Sequence, residues 1–122
     1  MNIITITGHL AQDPELRHTP SGKAVAHLRV AVNTNRKNSN GEPYPADFFS
    51  FDAWNGAENH AKHLTKGQHV EIVGRLSDEK WETSDGDKRS RVALIAERVQ
   101  YGRKPNGQQP TNQPADTDEE PF

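Results

Sequence analysis

Three stretches of this chain alternate apolar and polar residues with a period of two, which restricts it to a fold built on half-buried β-strands. Ile4, Ile6, Gly8 and Leu10 alternate with Thr5, Thr7 and His9. Ala26, Leu28, Val30 and Val32 alternate with His27, Arg29, Ala31 and Asn33. Val70, Ile72, Gly74 and Leu76 repeat the pattern, and each set is assigned to an inward face. Two more strands are expected, Asp47 to Trp54 and about Arg89 to Tyr101, the latter with Val92, Leu94 and Ala96 on one face. The breaks agree with this reading. Asp13-Pro14 ends the first run, Pro20-Ser21-Gly22 makes a turn, residues 34–46 suit a long exposed loop, and residues 82–88 suit a polar hairpin tip.

Residues 57–65 follow a different rule. Ala57, Ala61 and Leu64 fall at i, i+4 and i+7, one face of a helix, and Gly67 is a stop signal. Five strands with one helix between the third and fourth is the order of an all-β OB-fold, a five-stranded Greek-key barrel. At 122 residues the chain has room for one such domain and a short tail. Gly8 and Gly74, inside strands, are read as sites of barrel curvature or close backbone approach.

The absence of cysteine excludes disulfides and thiolate metal sites. The N-terminal residues lack the basic start and apolar run of a secretory leader, and no apolar stretch is long enough for a membrane helix. A soluble, cytoplasmic protein is the expectation. Net charge is −2, but of 15 basic and 17 acidic side chains, Arg103 and Lys104 and Asp116, Asp118, Glu119 and Glu120 lie beyond residue 102. That leaves a neutral body with 13 of each and an acidic end. Residues 103–115 are polar and Pro/Gln-rich, too poor in apolar side chains to offset the entropy of ordering, and read as a disordered linker. The domain is therefore set at 1–102, the linker at 103–115 and an acidic tip at 116–122.

The third strand carries the chemistry. One face of Asp47–Trp54 takes Phe49, Phe51 and Ala53, a core set; the other takes Phe48, Ser50, Asp52 and Trp54. Trp81 lies between Lys80 and Glu82 beside the hairpin. Aromatics among polar neighbours suit stacking on nucleic-acid bases, since every base has a π-face. The bland alternative is that they are core residues of a small barrel.

Longer motifs decide between these. Gly8-His9-Leu10-Ala11-Gln12-Asp13-Pro14-Glu15-Leu16-Arg17, Pro20-Ser21-Gly22-Lys23-Ala24-Val25-Ala26, the run Lys66 to Leu76 and the terminal Asp-Glu-Glu-Pro-Phe occur in one order. In these stretches the chain resembles the bacterial single-stranded DNA-binding protein family. The resemblance implies a homotetramer that winds single-stranded DNA over its surface. It implies base stacking on Phe48, Trp54 and Trp81, and phosphate contacts from Lys66, Lys80 and Arg89. Arg36 stands where some members have a further tryptophan, and a guanidinium can stack in its place. Ser50, Ser77 and Glu79 stand where some relatives carry arginine. Arg29 and Lys37 are further phosphate candidates on electrostatic grounds.

The tip has two readings. Acidic termini often only solubilise, but a final Pro121-Phe122 has no solubilising value. The resemblance implies that Phe122 fills an apolar pocket on replication, recombination and repair proteins, with Asp118, Glu119, Glu120 and Pro121 supporting the encounter. A flexible 103–115 linker would span roughly 20 Å and hold partners close.

Catalytic and metal readings are weaker. His60 and His63, read as surface residues one helical turn apart, and nearby His69 lack a third ligand at motif spacing. Ser50, Asp52 and a histidine have no nucleophile-elbow setting, and no phosphate-cradling glycine loop occurs. The sequence therefore predicts no enzyme, cofactor or metal. Two alternatives remain in view: a primosome-type interaction module with weak DNA affinity, and an OB-fold nuclease, for which only Asp52 is a candidate carboxylate.

Overall fold

The structure, a computed structural model, describes residues 1–105. Its elements run β1 (Ile4–Leu10), β2 (Glu15–His18), β3 (Ala24–Val32), β4 (Asp47–Ala53), α1 (Ala57–His63), β5 (His69–Glu82) and β6 (Lys88–Tyr101). Hydrogen-bonded neighbours follow the order β1-β5-β6-β4-β3-β2, and a second pairing of β1 with β3 at His9↔Ala31 and Leu10↔Val30 closes the ring. Five strands thus form the barrel, and the β4–β6 pair is parallel. The helix lies between the third and fourth barrel strands, as expected.

β2 is an addition. It pairs only with β3, and all four of its residues are exposed. A strand buried on neither face carries no alternation, so Glu15-Leu16-Arg17-His18 left no periodic signal.

The inward residues of the early strands meet as read from the sequence. Leu10, Leu28, Val30, Phe51, Val70 and Ile72 form the centre of the core, and Ala57 and Leu64 close one end of it. At Gly8 and Gly74, a Cβ would collide with the backbone carbonyl oxygens of Ala31 and Ile95. These glycines let neighbouring strands approach where the barrel bends.

Two core assignments fail, and for one reason. Leu76 is 42% exposed and Val92 is 67% exposed. β1 accompanies β5 only as far as the Ile4↔Gly74 pair, and β4 pairs with β6 only at Leu94 and Ile95. Past the Leu76↔Leu94 pair, β5 and β6 continue as a two-stranded arm flanked by no third strand, ending in the turn at residues 83–87. The Asn2 side chain extends the pairing one step, donating from Nδ2 to the Leu76 carbonyl and accepting from the Leu76 N–H, both at 2.9 Å.

A bulge alters β6 as well. Val73 pairs with Arg98 but Gly74 pairs with Ala96, so Glu97 is an extra residue. Beyond it Val99 and Tyr101, not Arg98 and Gln100, pack against the core. Ala93 and Ile95, on the outward face, are nevertheless buried. β6 runs between β5 and β4 there, with Ile95 beside Arg75 on one strand and Asp52 on the other, so neighbouring side chains shield it.

α1 also differs in detail. Ala61 is only partly buried, and His60 turns inward instead. Gln68, unassigned from sequence, is buried; its Oε1 accepts from Thr65 N–H and its Nε2 donates to the Gly102 carbonyl. Arg103 remains attached to the barrel, its carbonyl accepting from His69 N–H at 3.0 Å. Among the described residues, no helix is long and apolar enough to cross a membrane.

Candidate nucleic-acid interface

Strand alternation and cross-strand register gather four of the candidate residues, Phe48, Trp81, Arg29 and Arg89, on one outward face. On β4 this face carries Phe48, Ser50 and Asp52, opposite Ala31, Arg29 and His27 of β3. On the arm it carries Ser77, Glu79 and Trp81, opposite Ala93, Arg91 and Arg89. Phe51 and Ala53 face the core, so the two-sided reading of the third strand holds.

The three aromatics are neither buried nor fully free. Phe48 is 48% exposed, Trp54 40% and Trp81 48%. Burying them in the barrel, the bland alternative, is therefore excluded for all three. The Arg29 guanidinium lies 4.8 Å from the Phe48 ring centroid and its Nη1 donates to Ser50 Oγ at 3.4 Å. One face of Phe48 is thus already covered by a cation. Trp54 follows the last β4 residue, at the turn into α1, and borders a hollow shared with Lys23, Gly56, Glu58 and Asn59. Trp81 lines a groove of about 480 Å³ with Lys80, Glu82, Lys88, Arg89 and Ser90.

The cations divide. Arg29 and Arg89 share the aromatic face. Lys80 alternates with Trp81 and points to the other face of the arm, where its ammonium lies 3.3 Å from Asp78. Arg36 and Lys37 sit on the β3–β4 loop, which the Lys37↔Pro43 bridge and the Asn38 side chain fold into a small hairpin. There the Arg36 guanidinium stacks on Tyr44, 4.9 Å from its centroid. Lys66 is exposed near the end of β1, its N–H donating to Asp13 Oδ1 at 2.7 Å and the next residue bonded to the Leu10 carbonyl.

The face also holds two carboxylates, and they are compensated. His27 Nδ1 donates to Asp52 Oδ1 at 2.7 Å, and Arg91 lies 3.6 Å from Asp52 and 3.1 Å from Glu79. Arg91 was missed in the sequence, although it stands two residues from Arg89 and so shares its face. Tyr44, exposed and stacked by Arg36, was also missed; nothing in its Pro43-Tyr44-Pro45 setting distinguishes it from any loop tyrosine.

The histidines do not converge. His60 is buried, which corrects its reading as a surface residue, and both its ring nitrogens are engaged within the fold. His69 instead packs edge-on against His9 at 5.4 Å. Among the described residues no three His, Asp or Glu side chains are grouped to hold a metal ion. The tip residues Asp118, Glu119, Glu120, Pro121 and Phe122 lie outside the described residues, as do residues 106–115 of the expected linker.

A closed five-strand barrel with a helix between its third and fourth strands, and an aromatic, cation-bearing outward face, defines an OB-fold of the oligomer-binding kind. Residues 1–101 match the model of the single-strand binding protein family, and the chain belongs to that family. Similar proteins include single-stranded DNA-binding protein 3 of Streptococcus agalactiae, 40% identical over 93% of this chain and 82% of that protein. Single-stranded DNA-binding protein 1 of Lactococcus lactis is 38% identical over 99% of this chain and 81% of its own. The single-stranded DNA-binding protein of Corynebacterium glutamicum is 42% identical over 79% of this chain, which spans only 44% of that relative's length.

Proposed function

We propose that this chain binds and coats single-stranded DNA without sequence specificity, as a non-catalytic protein of replication, recombination and repair. The observation that carries the reading is the set of half-exposed aromatics Phe48, Trp54 and Trp81 in company with Arg29 and Arg89. Stacking on such rings tolerates any base, while cations track the phosphates. Arg36, Lys37, Lys66 and Lys80 are assigned to the outer parts of the same path, Lys80 by swinging across from its own side of the arm. The relatives' names support single-stranded DNA as the ligand.

The reading extends to assembly and partners. The exposed apolar residues Ile3, Leu76 and Val92 favour burial against further copies, consistent with a homotetramer. The acidic Pro-Phe tip is assigned to partner proteins, and the setting to the cytoplasm, with the nucleoid. An interaction module with weak DNA affinity draws some support from the carboxylates Asp52 and Glu79 on the same face, but Arg91 and His27 offset both.

Titrating oligo(dT) while following tryptophan fluorescence, at low and high salt, tests the reading. Strong quenching with little affinity for duplex is expected; a folded sample that neither quenches nor binds overturns it. Single-stranded DNA incubated with magnesium is expected to remain intact, and cleavage would restore the nuclease alternative. Phe122→Ala is expected to keep DNA affinity and lose capture of repair proteins, and equal capture would refute the role of the tip.

A further inference from the structure

We infer that His60 is a positioning residue for the single-strand site: it holds the Trp54-Asn55-Gly56 turn through the Asn55 carbonyl and so sets how Trp54 meets a base. The inference rests on the proposed stacking role of Trp54.

The turn is short and exposed, running between buried Ala53 and buried Ala57. Gly56 takes it through a left-handed conformation at φ 74°, which suits a residue without a Cβ. Strand pairing ends at Ala26↔Ala53, so Trp54 is beyond the ladder that fixes the other outward residues. Nor does a cation or ring pack on Trp54 among the described residues, in contrast to Arg29 on Phe48. Its placement therefore depends in part on what pins the backbone that follows.

His60 supplies that pin. It sits one turn into α1, its N–H bonded to the Gly56 carbonyl at 2.9 Å and its ring Nε2 3.1 Å from the Asn55 carbonyl. A carbonyl only accepts, so Nε2 carries the proton and Nδ1 is bare. Nδ1 in turn accepts from the Tyr101 hydroxyl at 2.7 Å, and that hydroxyl accepts from Asn59 Nδ2 at 3.2 Å. The two rings pack edge to face at 5.7 Å. One tautomer satisfies every bond, so the imidazole is held from β6 on one side and holds the turn on the other.

Burial favours this neutral form. It pushes the His60 pKa below the usual histidine value, against the opposing pull of the Asn55 bond. A buried neutral imidazole has one N–H and one bare nitrogen to satisfy, and Tyr101 meets only the bare Nδ1. The second bond, to the residue following Trp54, links the helix interior to the site.

Substitutions that mimic one ring nitrogen at a time separate the two bonds. His60→Gln can place an N–H where Nε2 lies; His60→Asn can place an oxygen where Nδ1 lies but is too short to reach Asn55. The measurements use the full chain carrying Trp81→Phe, so that Trp54 is its only tryptophan, with oligo(dT) as ligand and circular dichroism as the check on folding. His60→Gln and Tyr101→Phe are expected within about twofold of that parent, and His60→Asn about fivefold or more weaker, within the range that removal of one stacking platform spans. In a Trp54→Ala background, His60→Asn is expected to cost nothing further. Equal losses for Gln and Asn, an Asn loss that adds fully to Trp54→Ala, or a Tyr101→Phe loss matching Asn would each overturn the inference. Acrylamide quenching of Trp54 in the free protein is the second measurement: His60→Asn raises it and His60→Gln does not, and the reverse or no difference overturns the inference even if the variants bind poorly. Failure of the unsubstituted chain to bind oligo(dT) would instead count against the proposed function, and the quenching comparison would still decide the role of His60.

Discussion

Replacing Trp81 by alanine removes a platform that belongs to the arm and not to the core, so its effect on binding is separable from its effect on folding. A tryptophan has roughly 250 Å² to bury. With Trp81 48% exposed, about 120 Å² is open in the free protein, by the same estimate. A base covers one ring face, about half of that, and at about 25 cal/mol per Å² the contact contributes about 1.5 kcal/mol. Affinity for oligo(dT) should therefore fall about tenfold. That lies inside the range of about 1–3 kcal/mol per stacked base known for single-strand binding OB-folds as a class. The fold should lose no more than about 0.5 kcal/mol, because the side chain touches no buried cluster. Fluorescence anisotropy of a labelled oligo(dT) at several salt concentrations measures both the loss and its salt dependence. The slope of log K against log salt should be unchanged, since no phosphate contact is removed. A loss under twofold in a folded variant, or a slope shifted by about 0.7, would refute the stacking argument.

Arg89→Ala should behave in the opposite sense, lowering the salt slope by about 0.7 while tryptophan quenching persists; an unchanged slope would remove Arg89 from the phosphate path. Asp52→Asn removes a negative charge from the aromatic face while leaving an acceptor for His27, and should tighten binding at low salt with the gain fading at high salt. Gly74→Ala drives a Cβ onto the Ile95 carbonyl and should cost about 1–3 kcal/mol in chemical denaturation. The His60–Tyr101 pair sets a pH window for stability. The pKa of His60 is lowered by burial, so the unfolded chain binds more protons and stability falls as pH drops below about 6.5. The pKa of Tyr101 is raised, mainly by burial, so the unfolded chain loses its proton first and stability falls as pH rises above about 10. Comparing melting curves of wild type and His60→Gln across both limits isolates the histidine contribution, and an identical acid limb in the two would refute it.

The barrel was legible because its strands are buried on one side only. Ile4 to Leu10 and Ala24 to Val32 alternate visibly since one face meets Phe51 and Ile72 and the other meets water. The same logic separated Phe48 and Trp54 from Phe49 and Phe51. It failed where alternation continued past the support beneath it. Leu76 and Val92 keep the inward phase, but only the extent of β1 and β4 decides where inside ends. It failed too where a polar residue took a core position. His60 fits the helix face of Ala57 and Leu64 by spacing, yet its partner Tyr101 is 41 residues away and no local pattern announces the pair. Lys80 shows the converse, since a match to family positions says nothing of which side a side chain takes, whereas its place beside Trp81 in an alternating strand does.

The extra residue Glu97 makes β6 a strand in two numberings. Before it, even positions such as Leu94 and Ala96 face the core; after it, odd positions such as Val99 and Tyr101 do. The parity change means that lengthening or shortening the chain by one residue between Ala96 and Val99 exchanges interior for exterior in everything that follows, including the tyrosine that steadies His60. Residues 34–46 and 83–87 carry no such parity, and can vary in length without rewriting either end. Length variation in descendants of this chain is therefore confined to its loops, while β6 must be inherited at one count.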